Sequence, residues 1–279
     1  MTHTHVTAPT QFVECRGNQF AYRRLGATEG VPLVFLQHFT GTMDYWDPAL
    51  VDGFARERSV MLFDNTGVGG SSGETPATVR EMALDAVAFI DALGLQQVDL
   101  LGFSLGGFVA QVLAAEHPRR VRRVILVGTG PEGGDGIKDL GAVLAQAQQA
   151  TPTEPRLYLF FDRTEESQAA GRAFIDRQAL RAAARDPNST DQAVAAQFAA
   201  IVGWGGTPAP EAATRSQHTM QPVLVVNGKN DVMVPAINSY SLFQQLPNAT
   251  LTLYPDSGHG ALFQYSDAFV REGLQFLTA

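Results

Sequence analysis

The amino-acid sequence predicts an α/β protein with a mostly parallel, doubly wound sheet and a helical insertion. Three observations carry this expectation. Runs that are apolar throughout, such as residues 32–39 and 59–65, alternate with segments of helical periodicity. Strands of that kind are buried on both faces, which is the habit of parallel sheets covered by helices. A glycine-rich stretch, GFSLG at 102–106, joins one such run to a helical pattern. Finally, residues 131–220 hold no convincing strand and interrupt the alternation. The expected organisation is therefore a core formed by 1–130 and 221–279, with 131–220 inserted as a helical cap.

The elements follow in order. FVECRG and QFAYRRLG read as a hairpin with a turn at Gly17-Asn18, and Cys15 in its first strand reads as structural. Buried strands are expected at 32–39, 59–65, 98–103, 121–127, 221–228 and 249–256. Residues 78–95 have apolar positions at helical spacing and stop at Gly94. A helix follows Ser104 and is stopped by Pro118, and a last helix spans about 262–277. Within the insertion, helical patterns lie near 136–150, 165–185 and 190–202, punctuated by prolines.

Composition narrows the function classes. The chain has 279 residues, 45% hydrophobic and 17% charged, so it can bury a substantial core. A net charge of −8 argues against nucleic acid or an anionic membrane as partner. The short cluster Arg119, Arg120, Arg122, Arg123 reads as a solvated face before a strand. A single cysteine allows no internal disulfide. No apolar run reaches the roughly 18 residues a membrane span needs. The first ten residues lack the pattern of a signal peptide, so a cytoplasmic location is expected. His3 and His5 read as part of a disordered terminus.

The stretch G102-F103-S104-L105-G106 matches G-x-S-x-G, with a strand before it and a helix after it. A sharp strand-to-helix turn of this kind exposes Ser104 at its apex. Gly102 and Gly106 give clearance, Gly107 lets the helix approach the sheet, and the helix N-terminus points N–H groups at a developing oxyanion. A hydroxyl nucleophile needs a base, and the base needs an orienting carboxylate. Of six histidines, His3 and His5 are terminal, His117 sits at a helix end, and His218 ends the insertion. His38 ends a strand and is a candidate for the site rim. His259, in the loop DSGHGALF after the last strand, is the best base. Asp231 in NGKNDVMVP lies at the carboxyl edge of the sheet and is the favoured acid, with Glu132 and Asp135 as the alternative. Asp256 reads as a turn residue.

With these residues in order, the chain resembles the α/β-hydrolase superfamily. The likeness rests on GFSLG, FLQHFTGTMDYWDPAL, FDNTGVGGSS, NGKNDVMVP and PDSGHG, and it covers essentially the whole chain. It is most similar to small bacterial serine esterases and to cofactor-free haloperoxidase-like or lactonase-like hydrolases. The resemblance implies oxyanion donors at the backbone N–H groups of Phe39 and Leu105. It also shows departures. Gln37-His38 stands where His-Gly is usual, and Thr66 stands where arginine is common, which leaves Asp64 to bond loop amides. Serine at the elbow disfavours dehalogenases and epoxide hydrolases, which carry aspartate there.

The resulting expectation is a serine hydrolase acting on a small, largely apolar, ester-like molecule, with no cofactor and no metal. Lactone hydrolysis, carbon–carbon bond hydrolysis and perhydrolysis can share the same triad. A ligand-binding receptor on the same fold is the reading from another class. His38, Trp46, Phe160, Phe161 and Trp204 are candidate pocket residues, with packing the favoured role for Trp46. A homo-oligomer is compatible with the composition.

Overall fold

The structure, a computed structural model, describes residues 3–208 and 219–278. Among these residues eight strands form one sheet in the order β1-β2-β4-β3-β5-β6-β7-β8. The strands are β1 Gln11–Cys15, β2 Asn18–Gly26, β3 Leu33–Leu36, β4 Ser59–Phe63, β5 Val98–Phe103, β6 Val121–Val127, β7 Val223–Gly228 and β8 Ala249–Tyr254. The first two pairings, β1 with β2 and β2 with β4, are antiparallel. Every other pairing is parallel. Strands β3, β4, β5 and β7 are buried at every position, so their unbroken apolar runs reflect cover on both faces.

Helices α1 Pro48–Ala55, α2 Val79–Ala92 and α3 Leu105–Glu116 connect β3, β4, β5 and β6 in turn. Thr78 caps α2 by accepting the Glu81 N–H, and Gly94 ends it in the left-handed region at φ 68°. Between β6 and β7 the described chain holds no strand, and its α-helices are α4 Leu140–Ala150, α5 Pro155–Phe160, α6 Glu165–Ala179 and α7 Asp191–Gly205. Helix α8, Ile237–Gln245, follows β7, and α9 Ala261–Gln264 and α10 Ser266–Thr278 follow β8.

Several expectations need correction. The hairpin turns at Arg16-Gly17, both with positive φ, rather than at Gly17-Asn18. The final helix is two helices interrupted at Tyr265. Helix α5 is too short to leave a periodic signal and was not expected. His5 is not part of a loose terminus. It is fully buried, donates its backbone N–H to Asp52 at 2.6 Å and bonds the Met43 carbonyl through Nε2 at 3.0 Å. The arginine cluster is also only partly a solvated face. Arg122 and Arg58 converge on Asp99, whose side chain is inaccessible. Cys15, as expected, is structural, donating to the Ala88 carbonyl. His218 lies outside the described residues.

The insertion is tied to the core by ions and backbone bonds. Arg23, buried in β2, donates to Asp44 at 2.5 Å and to both oxygens of Asp186 at 2.8 and 2.9 Å. Arg181, just past α6, donates to the carbonyls of His5, Val6 and Ala8. Buried pairs of this kind are costly to break singly, because one ion is then left without its partner. They hold α6 and the segment after it over the carboxyl edge of the sheet.

Candidate active site

The site begins at the β5–α3 turn. Ser104 has φ 55° and ψ −117°, a conformation rarely adopted by a residue with a side chain. Hydrogen bonds to its backbone hold it there, including one from the Phe108 N–H to its carbonyl at 3.3 Å. Its N–H donates to Val127 at 2.9 Å, and its carbonyl accepts from Gly107 N–H at 2.8 Å and from Thr129 Oγ1 at 3.0 Å. The turn admits no larger neighbour at Gly106, where a Cβ would lie 2.0 Å from the Leu36 carbonyl oxygen. Gly107 seats α3 against Thr129, at 2.6 Å from a notional Cβ.

After β7 the chain turns so that Asp231 Oδ1 accepts the N–H groups of Met233 and Val234 at 2.8 and 2.9 Å. Its Oδ2 lies 2.7 Å from Nδ1 of His259. Both side chains are buried. Because the carboxylate accepts, Nδ1 of His259 is the donor and Nε2 is left as the basic atom. Nε2 has no hydrogen-bond partner among the described residues. The alternative acids lie elsewhere: Glu132 accepts from Thr207, and Asp135 is exposed. Helix α5 clasps the histidine loop, its Leu159 and Phe160 carbonyls accepting the N–H groups of His259 and Gly260 at 3.3 and 2.8 Å.

His259 and Ser104 border one cavity of about 120 Å³, together with His38, Phe39, Thr40, Tyr45, Leu144, Arg156, Leu159, Phe160 and Met233. A narrower crevice of about 10 Å³ leaves the same Ser104–Phe39 wall toward Phe108 and Ile201. The N–H groups of Phe39 and Leu105 donate to no acceptor among the described residues. Arg156 reaches the cavity wall with its charge already matched, because Nε and Nη2 grip both oxygens of Glu154 at 2.6 and 2.7 Å. Burial, with smaller contributions from His259 and Arg156, pushes the His38 ring down to about 3, so it is neutral.

The loop before α1 is braced from beneath. Asp64 accepts the N–H groups of Met43 and Gly70, both at 2.8 Å, as expected from the missing arginine. Thr66 donates instead to Asp85 at 2.7 Å. From above, Gln197 of α7 accepts the Thr40 N–H at 2.7 Å, and Ser189 donates to the Thr40 carbonyl at 2.9 Å.

Of the expected pocket residues, His38 and Phe160 line the cavity. Trp46, Phe161 and Trp204 do not. Trp46 is fully buried and meets Phe35 edge-on at 4.9 Å. Phe161 packs on Phe174 at 5.8 Å. Trp204 stacks on Phe108 at 5.1 Å and donates Nε1 to the Gly130 carbonyl. Aromatic content flagged these residues, but packing of the insertion decided which of them reach the cavity. Tyr45, Leu144, Arg156 and Leu159 were missed, since nothing in their local pattern separates them from ordinary helix positions. Met233 was within reach, two residues beyond Asp231 in a loop already singled out.

Comparison with known proteins places the chain in a family. Residues 31–264 match the model of the alpha/beta hydrolase fold, and the chain belongs to that family. The protein is an α/β-hydrolase. A solved alpha/beta hydrolase fold protein from Chitinophaga pinensis is 44% identical, with a TM-score of 0.94 over 99% of both chains. The 2-hydroxymuconate semialdehyde hydrolase of Pseudomonas putida is 29% identical over 259 residues, 90% of this chain and 88% of the relative. The dihydrolipoyllysine-residue acetyltransferase component of the acetoin cleaving system of Cupriavidus necator is 29% identical over 268 residues, 94% of this chain and 67% of the relative. Among the described residues no helix is long and apolar enough to cross a membrane.

Proposed function

We propose that the protein is a serine hydrolase that cleaves a carboxylic ester, or a related acyl bond, of a small substrate through an acyl-enzyme. The observation that carries this reading is the convergence of unsatisfied groups on one cavity. Among the described residues Nε2 of His259 and the Phe39 N–H have no partner, both residues line that cavity, and Ser104 stands on the same wall in strained backbone, followed by Leu105, whose N–H also meets no acceptor. Buried polar groups without partners cost stability, so their gathering at one place favours a ligand that satisfies them.

In this mechanism His259 Nε2 takes the Ser104 proton as Oγ attacks the substrate carbonyl. Asp231 keeps the imidazole in the required tautomer and stabilises its charged form. The two N–H groups receive the negative charge on the tetrahedral oxygen, where each such donor is worth roughly 2.7–4 kcal/mol in comparable enzymes. Collapse expels the alcohol, which takes the proton from His259. Water, deprotonated by His259, then attacks the acyl-enzyme and releases the acid.

A second reading is hydrolysis of a carbon–carbon bond beside a carbonyl. It is favoured by the likeness to a hydrolase named for 2-hydroxymuconate semialdehyde, a compound with no ester bond to cut. The two are separated by a panel of short-chain esters, lactones and vinylogous diketones. Labelling with a fluorophosphonate, followed by peptide mass analysis, tests the nucleophile itself. Adduct formation at Ser104 is expected, and full ester turnover by Ser104→Ala would remove that residue from the role.

A further inference from the structure

His38 departs from the residue type the family resemblance implies at its position, and it is one of two imidazoles on the cavity wall. Its protonation can be worked out atom by atom. Gln37 donates from Nε2 to the Thr42 carbonyl, a group that can only accept. That bond orients the amide, so its Oε1 is the atom 3.2 Å from Nδ1 of His38. An oxygen acceptor there requires the proton on Nδ1. The ring is neutral, so Nε2 carries a bare lone pair.

The Nδ1–Cε1 edge is turned toward Gly41, where a Cβ would come within 2.6 Å of Cε1. The ring's one hydrogen bond among the described residues is the one through Nδ1, and the ring borders the cavity. The cation on the same cavity wall, Arg156, is held by Glu154 and by Gln178. The wall beside Ser104 therefore presents a neutral acceptor rather than a positive charge. An anionic group finds no counter-charge there, whereas a hydroxyl finds a matched partner.

We propose that His38 Nε2 is an acceptor subsite selecting substrates whose acyl portion carries an uncharged hydroxyl close to the scissile carbonyl. The inference rests on the reading of Ser104 as nucleophile. An acyl group short enough for a cavity of about 120 Å³ puts that hydroxyl on the second or third carbon. A purely apolar acyl group would leave the lone pair unpaired in a closed site, which is how such subsites reject analogues lacking the donor.

The test compares kcat/KM for methyl lactate and methyl 2-methoxypropionate, which share the inductive effect of oxygen but differ in the donor. Acid release is followed at constant pH in the wild type, His38→Phe and Gln37→Leu. The wild type is expected to prefer methyl lactate by about tenfold. The preference should fall toward parity in His38→Phe, and partly in Gln37→Leu, where the tautomer is no longer held. No preference in the wild type, or a preference undiminished in a folded His38→Phe, overturns the subsite. Ester turnover unaffected by Ser104→Ala would instead overturn the nucleophile reading, so the two failures are distinct.

Discussion

Asp231 and His259 are locked to each other at 2.7 Å while the second carboxylate oxygen of Asp231 is bound by two backbone N–H groups. The carboxylate therefore cannot turn away, and the imidazole has one tautomer available to it. In Asp231→Asn the amide can place its NH2 toward Nδ1, which forces the proton to Nε2, where it blocks general-base action. We expect kcat for ester hydrolysis to fall about 10³–10⁴-fold, with KM little changed. Steady-state kinetics at neutral pH check this.

Gly106 and Gly203 give opposite outcomes for the same substitution. A Cβ at Gly106 would sit 2.0 Å from a backbone oxygen of Leu36, which belongs to the central sheet and cannot move aside. Gly203 lies inside α7 with nothing within 4 Å of its Cβ position. Gly106→Ala should cost about 3 kcal/mol or more and abolish activity. Gly203→Ala should be neutral to stabilising, by roughly 0.5–1 kcal/mol. Urea unfolding of both variants tests the contrast.

Gln197 of the insertion holds Thr40, which has φ 62° and directly follows Phe39. A Gln197→Met variant keeps the volume but releases the Thr40 N–H. If the Phe39 N–H receives the oxyanion, kcat should fall roughly tenfold, since a buried hydrogen bond is lost. KM for the same ester should change less, because the donor acts mainly in the transition state. A change confined to KM would argue that Gln197 only shapes the cavity.

Burial, partly offset by the Met43 carbonyl, pushes His5 down to about 4 from the usual 6.5. Between these values the unfolded chain binds a proton that the folded chain does not. Stability conferred by neutral His5 is thus complete above pH 6.5 and is lost as pH falls to about 4. The loss is on the order of 3 kcal/mol. His5→Gln, which can still donate to Met43, should show a shallower decline in unfolding free energy over that window than the wild type. Asp64, raised to about 8 chiefly by burial, has the opposite slope, but it is common to both proteins and cancels in the comparison.

The amino-acid sequence by itself determined the sheet, the elbow and the order of the site loops, because these are written in local chemistry. Strands β3 to β7 are apolar at nearly every position, GFSLG can form only a tight turn, and NGKND and DSGHG can only be loops. Asp64 was legible for the same reason, once Thr66 stood where a cation was expected. The role of His5 was hidden, since a histidine near a polar terminus looks the same whether solvated or buried beneath Arg181. The pocket was hidden more deeply. Leu144, Arg156 and Leu159 meet His38 and His259 because buried pairs such as Arg23 with Asp186 hold the insertion over the sheet, where it closes on Tyr45 of the loop before α1. The bond from Gln37 to His38 likewise depends on where Thr42 places its carbonyl. Periodicity reports which face of a helix is buried, but not what it is buried against, and that second fact is what shapes the cavity at Ser104.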